Sequence, residues 1–224
     1  MRRTFRLLAS STLLVGVACI AALFAPQDGA ASLPVQTTLR LAPFNSIEML
    51  EGGHVVLRAA PTQRVTLLSG SLDYTRLSVI DGGRLVIDKC NRKCPRGYQL
   101  ELEILAPSFA RISTANGGRV QSSGDFPRQS QLAVAVAHGG AIDVRSMAVD
   151  RVTASVDQGG AIFTVPRTLL IARVSQGGVI TYWGDPQVTS SVGRHGGVNK
   201  GRADQINAPL SEVVSSLPSP PKHR

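Results

Sequence analysis

Two cysteines that lie four residues apart are the first candidates for chemistry in this chain of 224 residues. Cys90 and Cys94 share one short loop, and outside the cytoplasm such a pair usually forms a disulfide. Half of a zinc site is the alternative, but zinc needs about four ligands and no further Cys or His lies close by in the sequence. We therefore predict a disulfide between Cys90 and Cys94 and no metal site.

Acidic side chains could cleave a polysaccharide, since glycoside hydrolysis needs two carboxylates that face one another about 5–9 Å apart. The aspartates of the second half do not fall at one repeated position, and no nucleophile with a supporting His and Asp is visible. We predict no catalytic residue and no cofactor, and a polysaccharide lyase or hydrolase stays the alternative. The residues considered are Asp125, Asp143, Asp150, Asp157 and Asp185.

An aromatic pair is the best candidate for a ligand contact. Tyr182 and Trp183 precede the turn Gly184-Asp185-Pro186, and aromatic rings on an exposed face can stack on sugars. The alternative is a rigid corner that covers the core, with Pro186 fixing the turn.

A polar residue stands before each of five Gly-Gly pairs, and it could form a hydrogen-bonded ladder of side chains. Two of these residues are His138 and His195, so a metal or catalytic histidine row is the alternative. At a spacing of about 4.8 Å per strand the two histidines would lie roughly 14 Å apart, too far to share a ligand. The five residues are Asn116, His138, Gln158, Gln176 and His195.

The Gly-Gly pairs recur every 18 to 22 residues through the second half of the chain. Such a period is typical of a solenoid, in which each repeat is one coil stacked on the next. The pairs would form the corners between short strands, because a side chain there would clash at positive φ or crowd the neighbouring coil. They are Gly117-Gly118, Gly139-Gly140, Gly159-Gly160, Gly177-Gly178 and Gly196-Gly197.

Three columns of mostly apolar residues appear when the repeats are aligned on these glycines. Alternate residues of a strand point to opposite faces, so the columns are the expected inward rows of stacked strands. The columns are Ile112, Val134, Ala154 and Ala172; then Thr114, Val136, Val156 and Val174; then Val120, Ile142, Ile162 and Ile180.

The repeats are flanked by less regular segments. Short strands and hairpins are predicted before them, at Ser46 to Met49, His54 to Ala59, Arg64 to Leu68, Leu77 to Ile80, Arg84 to Asp88 and Tyr98 to Leu105. In the last repeat Asn199 takes the place of the third column, which would leave a polar terminal coil. We expect one solenoid domain over residues 43–207 and a disordered Pro- and Ser-rich tail over 208–224.

The amino terminus has the pattern of an export signal. Three arginines precede an apolar run, and small residues follow it, which predicts a signal peptide over 1–31 and a linker over 32–42. Lipidation at Cys19 and a retained membrane anchor are the alternatives, because the run approaches the length of a bilayer span. The protein is then exported, to the periplasm or the outer cell surface, and meets a membrane only if the segment is retained or Cys19 is lipidated.

The net charge favours anionic partners. It is +9 for the whole chain and +7 once residues 1–31 are removed. Candidates are acidic envelope polysaccharide, lipid headgroups or an envelope protein, and simple solubility is the alternative explanation. No dense basic run alternates with aromatics, so we predict no nucleic-acid site.

A further set of segments spans most of the chain: Phe44-Asn45-Ser46-Ile47, His54-Val55-Val56-Leu57, Asp81 to Ile87, the Gly-pair repeats and Tyr182 to Val188. Together they resemble the auto-transporter adhesin head GIN domain family of bacterial envelope proteins, over about residues 43–203. Where many members have Gly-Ser-Gly, this chain has Gly-Gly. The resemblance implies a right-handed parallel β-helix-like fold in an exported protein, and it implies no enzyme activity. We therefore predict a non-catalytic module for interaction or adhesion at the cell envelope.

Overall fold

The computed structural model describes residues 36–90 and 93–215, and these residues are mainly in β-strands. The predicted signal peptide, Cys19 and residues 216–224 of the predicted tail lie outside the described residues. Within the described ranges no helix is long and apolar enough to cross a membrane. The strands are β1 (Thr37–Leu39), β2 (Ser46–Met49), β3 (His54–Ala59), β4 (Arg64–Ser69), β5 (Arg76–Ile80), β6 (Arg84–Asp88), β7 (Glu101–Ala106), β8 (Arg111–Ala115), β9 (Arg119–Ser123), β10 (Gln129–Ala137), β11 (Ala141–Asp143), β12 (Val149–Asp157), β13 (Ala161–Thr164), β14 (Pro166–Tyr182) and β15 (Gln187–Lys200).

All of these strands belong to one sheet, whose hydrogen-bonded path follows two rows that meet in β14. The first row runs β5, β6, β2, β8, β10, β12 and the first half of β14. The second row runs β1, β4, β7, β3, β9, β11, β13 and the second half of β14. Strand β15 pairs with both halves of β14. The topology confirms the predicted all-β class. The strand order alone does not establish the predicted right-handed coil.

The predicted apolar columns are present as registered rows. Neighbouring strands pair them in parallel, so that Val134 lies between Ile112 and Ala154, and Ile142 lies between Val120 and Ile162. The buried sides of the two rows form one hydrophobic core. Burial of each aliphatic side chain contributes about 1.5–3 kcal/mol relative to exposure, so this core is the main source of stability.

The first part of the chain adds antiparallel strands to the parallel repeats. Strand β4 pairs antiparallel with β7 and β1, and β5 pairs antiparallel with β6. The predicted linker over 32–42 is therefore wrong for Thr37–Leu39, which forms β1. The alternation of apolar residues there was too short to signal a strand, and its partner β4 supplies the missing hydrogen bonds.

The last repeat differs from its sequence alignment by one residue. Val198, not Asn199, pairs with Ile180 and continues the third apolar column. In the same register Arg194, not His195, pairs with Gln176. Hydrogen bonding to β14 sets the register of β15, so that Gly196 pairs with Gly178. The final glycines are therefore shifted by one residue relative to the alignment.

A short C-terminal segment follows β15 and packs against the sheet. It contains a 3-10 turn at Ala203–Gln205 and a helix, α1, at Leu210–Ser215. Leu210 and Val213 are buried. The predicted disorder from residue 208 is therefore wrong for residues 210–215, because these two apolar side chains find a partner surface on the second row.

Candidate binding face

The glycine pairs lie at the corners between the two rows. The residue before the pair has a left-handed backbone at four corners, with φ of 52° at Asn116, 55° at His138, 55° at Gln158 and 59° at His195. Glycines with positive φ follow at the first three of these corners, such as Gly139 and Gly159. Each of the first four corners therefore has two or three consecutive residues in a region that L side chains rarely adopt. The other positive-φ members of the pairs are Gly117, Gly140, Gly160, Gly177 and Gly178.

Close approach of neighbouring corners adds a second requirement. A Cβ built on Gly160 would lie 2.9 Å from Gly140 O and 2.5 Å from Val136 Cγ1, whereas one built on Gly159 would meet nothing within 4 Å. Gly118 and Gly196 have no positive φ, and there space alone acts, since a Cβ would collide with Thr114 or Val174 respectively. Gly197 also has no positive φ.

The predicted ladder of polar side chains is not formed. Asn116 Nδ2 instead donates to Leu50 O at 2.9 Å. Among the described residues no side-chain hydrogen bond joins Asn116, His138, Gln158 and Gln176 to one another. All four side chains are exposed to solvent, and at Asn116, His138 and Gln158 the left-handed backbone turns them outward.

The disulfide between Cys90 and Cys94 is present, as the spacing predicts. It closes a loop between β6 and β7, next to Lys89 and Tyr98. No group of three or more potential metal ligands is found in the described part of the chain. The disulfide is thus a local brace of the loop.

The suggested ligand contact at Trp183 is wrong, because this side chain is only 2% exposed. Its Nε1 donates to Arg202 O at 2.7 Å, and the ring packs with Phe163, Leu210 and Val213. Tyr182 is half-buried against the main core. Trp183 is therefore a buried structural residue, as the alternative interpretation of the sequence allowed, because the C-terminal segment packs over its ring.

A buried ion pair holds the C-terminal segment, and the sequence analysis did not find it. Arg145 binds Asp143 through two hydrogen bonds of 2.9 and 2.7 Å, and the side chains are 9% and 5% exposed. The same guanidinium donates to the carbonyl oxygens of Gln205, Ile206 and Ala208. It also lies 5.4 Å from the Trp183 ring centre. The only sign of this ion pair in the sequence is the Asp-Val-Arg alternation at residues 143–145. It does not indicate that the guanidinium binds the C-terminal segment.

These contacts define a covered face, the outer side of β11, β13 and the second half of β14. Its apolar residues pack with α1 and the residues before it, and Arg145 fixes the backbone of that segment. The residues that form this surface and its cover are Asp143, Arg145, Ala161, Phe163, Val179, Trp183, Ile206, Ala208, Leu210 and Val213. The cover buries the aromatic side chains Phe163 and Trp183 of this face.

Among the described residues no such cover lies on the outer side of β8, β10, β12 and the first half of β14, and we call this surface the open face. Most of its side chains are small or arginine, and none is aromatic. The open face consists of Arg111, Ser113 and Ala115 on β8, Ala133, Ala135 and Ala137 on β10, Arg151, Thr153, Ser155 and Asp157 on β12, and Leu169, Ile171, Arg173 and Ser175 on β14. Ile171 is 43% exposed.

Three arginines stand out on the open face. Arg111, Arg151 and Arg173 are exposed, and within the described residues none of them has an ion pair. By contrast Arg58 pairs with Glu103 at 2.7 Å on the other row. A guanidinium offers a planar fork of donors that matches carboxylate and phosphate oxygens. The open face can therefore bind anions spread over several strands.

A shallow cavity of about 570 Å³ lies at one end of the open face. Arg84 and Arg111 line it together with Ser46, Gln131 and Thr153. Arg84 is held by Glu48 at 3.3 Å and by Asp81 at 3.5 Å, whereas Arg111 has no such partner. The cavity is a shallow depression in the surface, because the side chain of Ala133 is shorter than those of the arginines and Gln131 around it.

The aspartates considered for catalysis are dispersed. Asp143 is bound by Arg145, and Asp150 is bound by Arg128 at 2.9 Å. Asp185 accepts a hydrogen bond of 2.5 Å from Lys200. This hydrogen bond and the positive charge of Lys200 lower the pKa of Asp185, and the same contacts raise the pKa of Lys200. Each of these carboxylates is thus neutralised by a cation at its own location.

Comparison with known proteins gives a family and a fold. The family model described as "Putative auto-transporter adhesin, head GIN domain" matches residues 43–165, more than half of the chain. The match ends before Tyr182 to Val188, which the resemblance had included. No curated protein matches this sequence.

Among solved structures, a putative adhesin from Bacteroides fragilis is similar, with 16% identity and a TM-score of 0.50 over 74% of this chain and 95% of that one. A putative cell adhesion protein from Clostridium sporogenes has 12% identity and a TM-score of 0.46, over 75% of this chain and 98% of that one. At such identities the first likeness shows the fold alone.

Proposed function

Because this chain belongs to the auto-transporter adhesin head GIN domain family, we propose that it is an exported, non-catalytic binding module of the cell envelope. Its scaffold is a right-handed β-solenoid with coils of about 18–22 residues. Parallel strands joined by crossovers are right-handed in about 98% of cases, and the parallel registers of β8, β10, β12 and β14 support this coil.

The open face is the binding surface of this module. The observation that carries the proposal is a surface of mostly small side chains from which three arginines project, none with an ion pair among the described residues. Small side chains let an extended chain lie close to the strands, and the arginines supply charge-assisted hydrogen bonds to it. We propose an anionic envelope polysaccharide as the ligand, because its carboxylates or phosphates repeat along an extended chain.

The position of the acidic residues supports binding without catalysis. Glycoside cleavage needs two free carboxylates about 5–9 Å apart. Asp143 and Asp150 are each tied to arginine instead, and the aspartate of the open face, Asp157, lies on a surface otherwise rich in arginine. A polysaccharide lyase or hydrolase has no specific observation in its favour.

The test is binding of the purified exported protein to acidic and neutral polysaccharides on a glycan array, with salt varied from about 0.05 to 0.5 M to expose nonspecific retention. In the test variant, Arg111→Gln, Arg151→Gln and Arg173→Gln are combined. In the control variant, Arg64→Gln, Arg96→Gln and Arg119→Gln are combined, because these arginines are exposed outside the open face and their loss changes the net charge equally.

We expect the test variant to lose about 10- to 100-fold in affinity for the acidic polysaccharide, since each exposed ionic contact contributes about 0.5–1 kcal/mol. The control variant should stay within about threefold of the parent protein. Equal losses in both variants would mean that net charge alone retains the ligand. Turnover of the polysaccharide into shorter products would establish the enzyme instead.

A further inference from the structure

The first half of β15 is the last strand of the first row, and its inward-facing valines are exposed to solvent. Val188 pairs with Leu170, and Val192 pairs with Val174. Leu170 and Val174 are 0% and 1% exposed, whereas Val188 and Val192 are 36% and 47% exposed. The interior of the fold is therefore open at this end.

The backbone of this strand is also unpaired on one side. Within the described residues β15 pairs with β14 alone, so its outer edge presents N–H and C=O groups to solvent. Native edge strands are usually protected by charges or proline. The stretch Gln187–Val192 contains neither, so it is suited to pairing with another strand.

The sequence of this stretch is complementary to itself in the antiparallel direction. Around Ser190, the valines lie at equal distances, two residues before and two residues after. An antiparallel pair with a two-fold axis at Ser190 sets Val188 opposite Val192 of a second copy. Residues directly opposite one another in such a pair share a face of the sheet, so both valines would meet on the buried side.

We infer that a second copy of this chain covers this edge, through antiparallel pairing of the two β15 strands around Ser190. The contact is isologous and closed, which makes a dimer and not a filament. Ser190 pairs with the small residue Ala172 of β14, on the buried side of the sheet. At the centre of the contact the two copies therefore meet through small side chains, and the valines pack on either side of them. The core of one copy then continues into the core of the other.

The charges near the edge agree with this arrangement. The register sets Arg194 opposite Pro186 of the second copy, next to Asp185, whose carboxylate is 92% exposed and also accepts a hydrogen bond from Lys200. No cation faces another cation within the paired stretch, because Gln187–Val192 is uncharged. At the opposite end of the first row, β5 begins with Arg76, and its apolar pair Leu77 and Val79 is partly buried against the core, which favours self-pairing of β15 over head-to-tail stacking.

A cysteine at the symmetry centre tests the register. Ser190→Cys should form an intermolecular disulfide under mild oxidation, because directly opposed residues have Cα atoms about 4.5–5.5 Å apart, within disulfide reach. Thr189→Cys is the matched control, since its diagonal partner in the second copy lies about 7–8 Å away. We expect covalent dimer from Ser190→Cys and several-fold less from Thr189→Cys, measured on non-reducing gels of the exported protein.

A charge exchange tests the contact in solution. One variant combines Val188→Glu with Val192→Glu, and a second combines Val188→Lys with Val192→Lys. In sedimentation velocity each should be monomeric alone, and their mixture should dimerise, because opposite charges then face each other. Ile171→Lys should dimerise like the parent, because Ile171 lies on β14, one strand in from the edge, and its exposed side chain is on the outer side. A single-strand contact is small, so we expect the parent dimer at about 100 µM and monomer at about 1 µM.

Two results would overturn the inference. A parent protein that is monomeric at every concentration, with no Ser190→Cys crosslink, leaves no second copy at this edge. Dimerisation that appears only after residues 216–224 are removed would mean that the chain's own tail occupies the edge.

Discussion

The outer sides of the two rows are both built on parallel strands, yet one is covered by the chain itself and the other is open. On the covered face, Phe163 and Trp183 are buried beneath the C-terminal segment. The open face carries mostly alanine, serine and threonine with exposed arginines between them, and Leu169 and Ile171 lie on its last strand. The fold is the same on both sides, so the difference is made entirely by which residue types point outward.

This comparison teaches where a partner can bind. Large apolar side chains on an outer face need a cover, because exposed apolar patches promote association. The chain supplies that cover with residues 203–213, and Arg145 fastens it. The open face carries few large apolar side chains, and its small side chains and guanidinium groups are well solvated, so it is available to a ligand.

The largest expected effect breaks the covered face. Arg145→Met leaves the carboxylate of Asp143 buried without its partner, which should lower the free energy of unfolding by about 3–5 kcal/mol. Arg151→Met on the open face should change it by less than about 0.5 kcal/mol. Urea unfolding of both variants measures the difference. Equal stabilities would mean that the C-terminal segment is not fastened through Arg145.

A smaller loss of stability is expected at the glycine corners, which connect the strands of the two faces. Gly160→Ala should lower the free energy of unfolding by about 2–4 kcal/mol, because positive φ and close contact with Gly140 act together. Gly159→Ala should cost about 1–2 kcal/mol, since backbone strain acts there alone. Thermal unfolding of the two variants compares them, and an equal loss would contradict the crowding at Gly160.

The smallest effect concerns a surface pair that belongs to neither face. Lys200 lowers the pKa of Asp185, so the pair stabilises the protein above the unfolded pKa of an aspartate, about 3.9. That contribution is lost as the pH falls through the lowered folded value. Asp185→Asn should therefore lower the melting temperature slightly at pH 7 and not at pH 2, whereas an identical shift at both pH values would contradict the assignment.

Much of the scaffold could be predicted from the sequence, because its signals are local and repeated. The spacing of the glycine pairs and the period-two alternation placed Val134, Ile142 and Ile162 in the rows they occupy. The Cys90–Cys94 disulfide followed from the short separation of the two cysteines. Each of these features depends on residues that are close in sequence or that recur at a fixed interval.

The candidate site could be predicted much less well. Trp183 was a candidate for ligand contact, and only the packing of Leu210 and Val213 explains why it is buried. The register of Val198 also escaped the alignment, because hydrogen bonding to β14 decided it and not the position of the final glycines. These features depend on contacts between segments that have no repeated pattern.

The sequence by itself determined most of the strands, their inward rows and the corners of the regular repeats, since alternation and glycine spacing are physical requirements of each repeat. Only the tertiary structure decided which outer face is covered and which stays open. That choice depends on where a short segment with two apolar residues finds a matching surface and a buried guanidinium to hold its backbone. Burial of this kind is a property of the assembled chain, so no single stretch of residues specifies it.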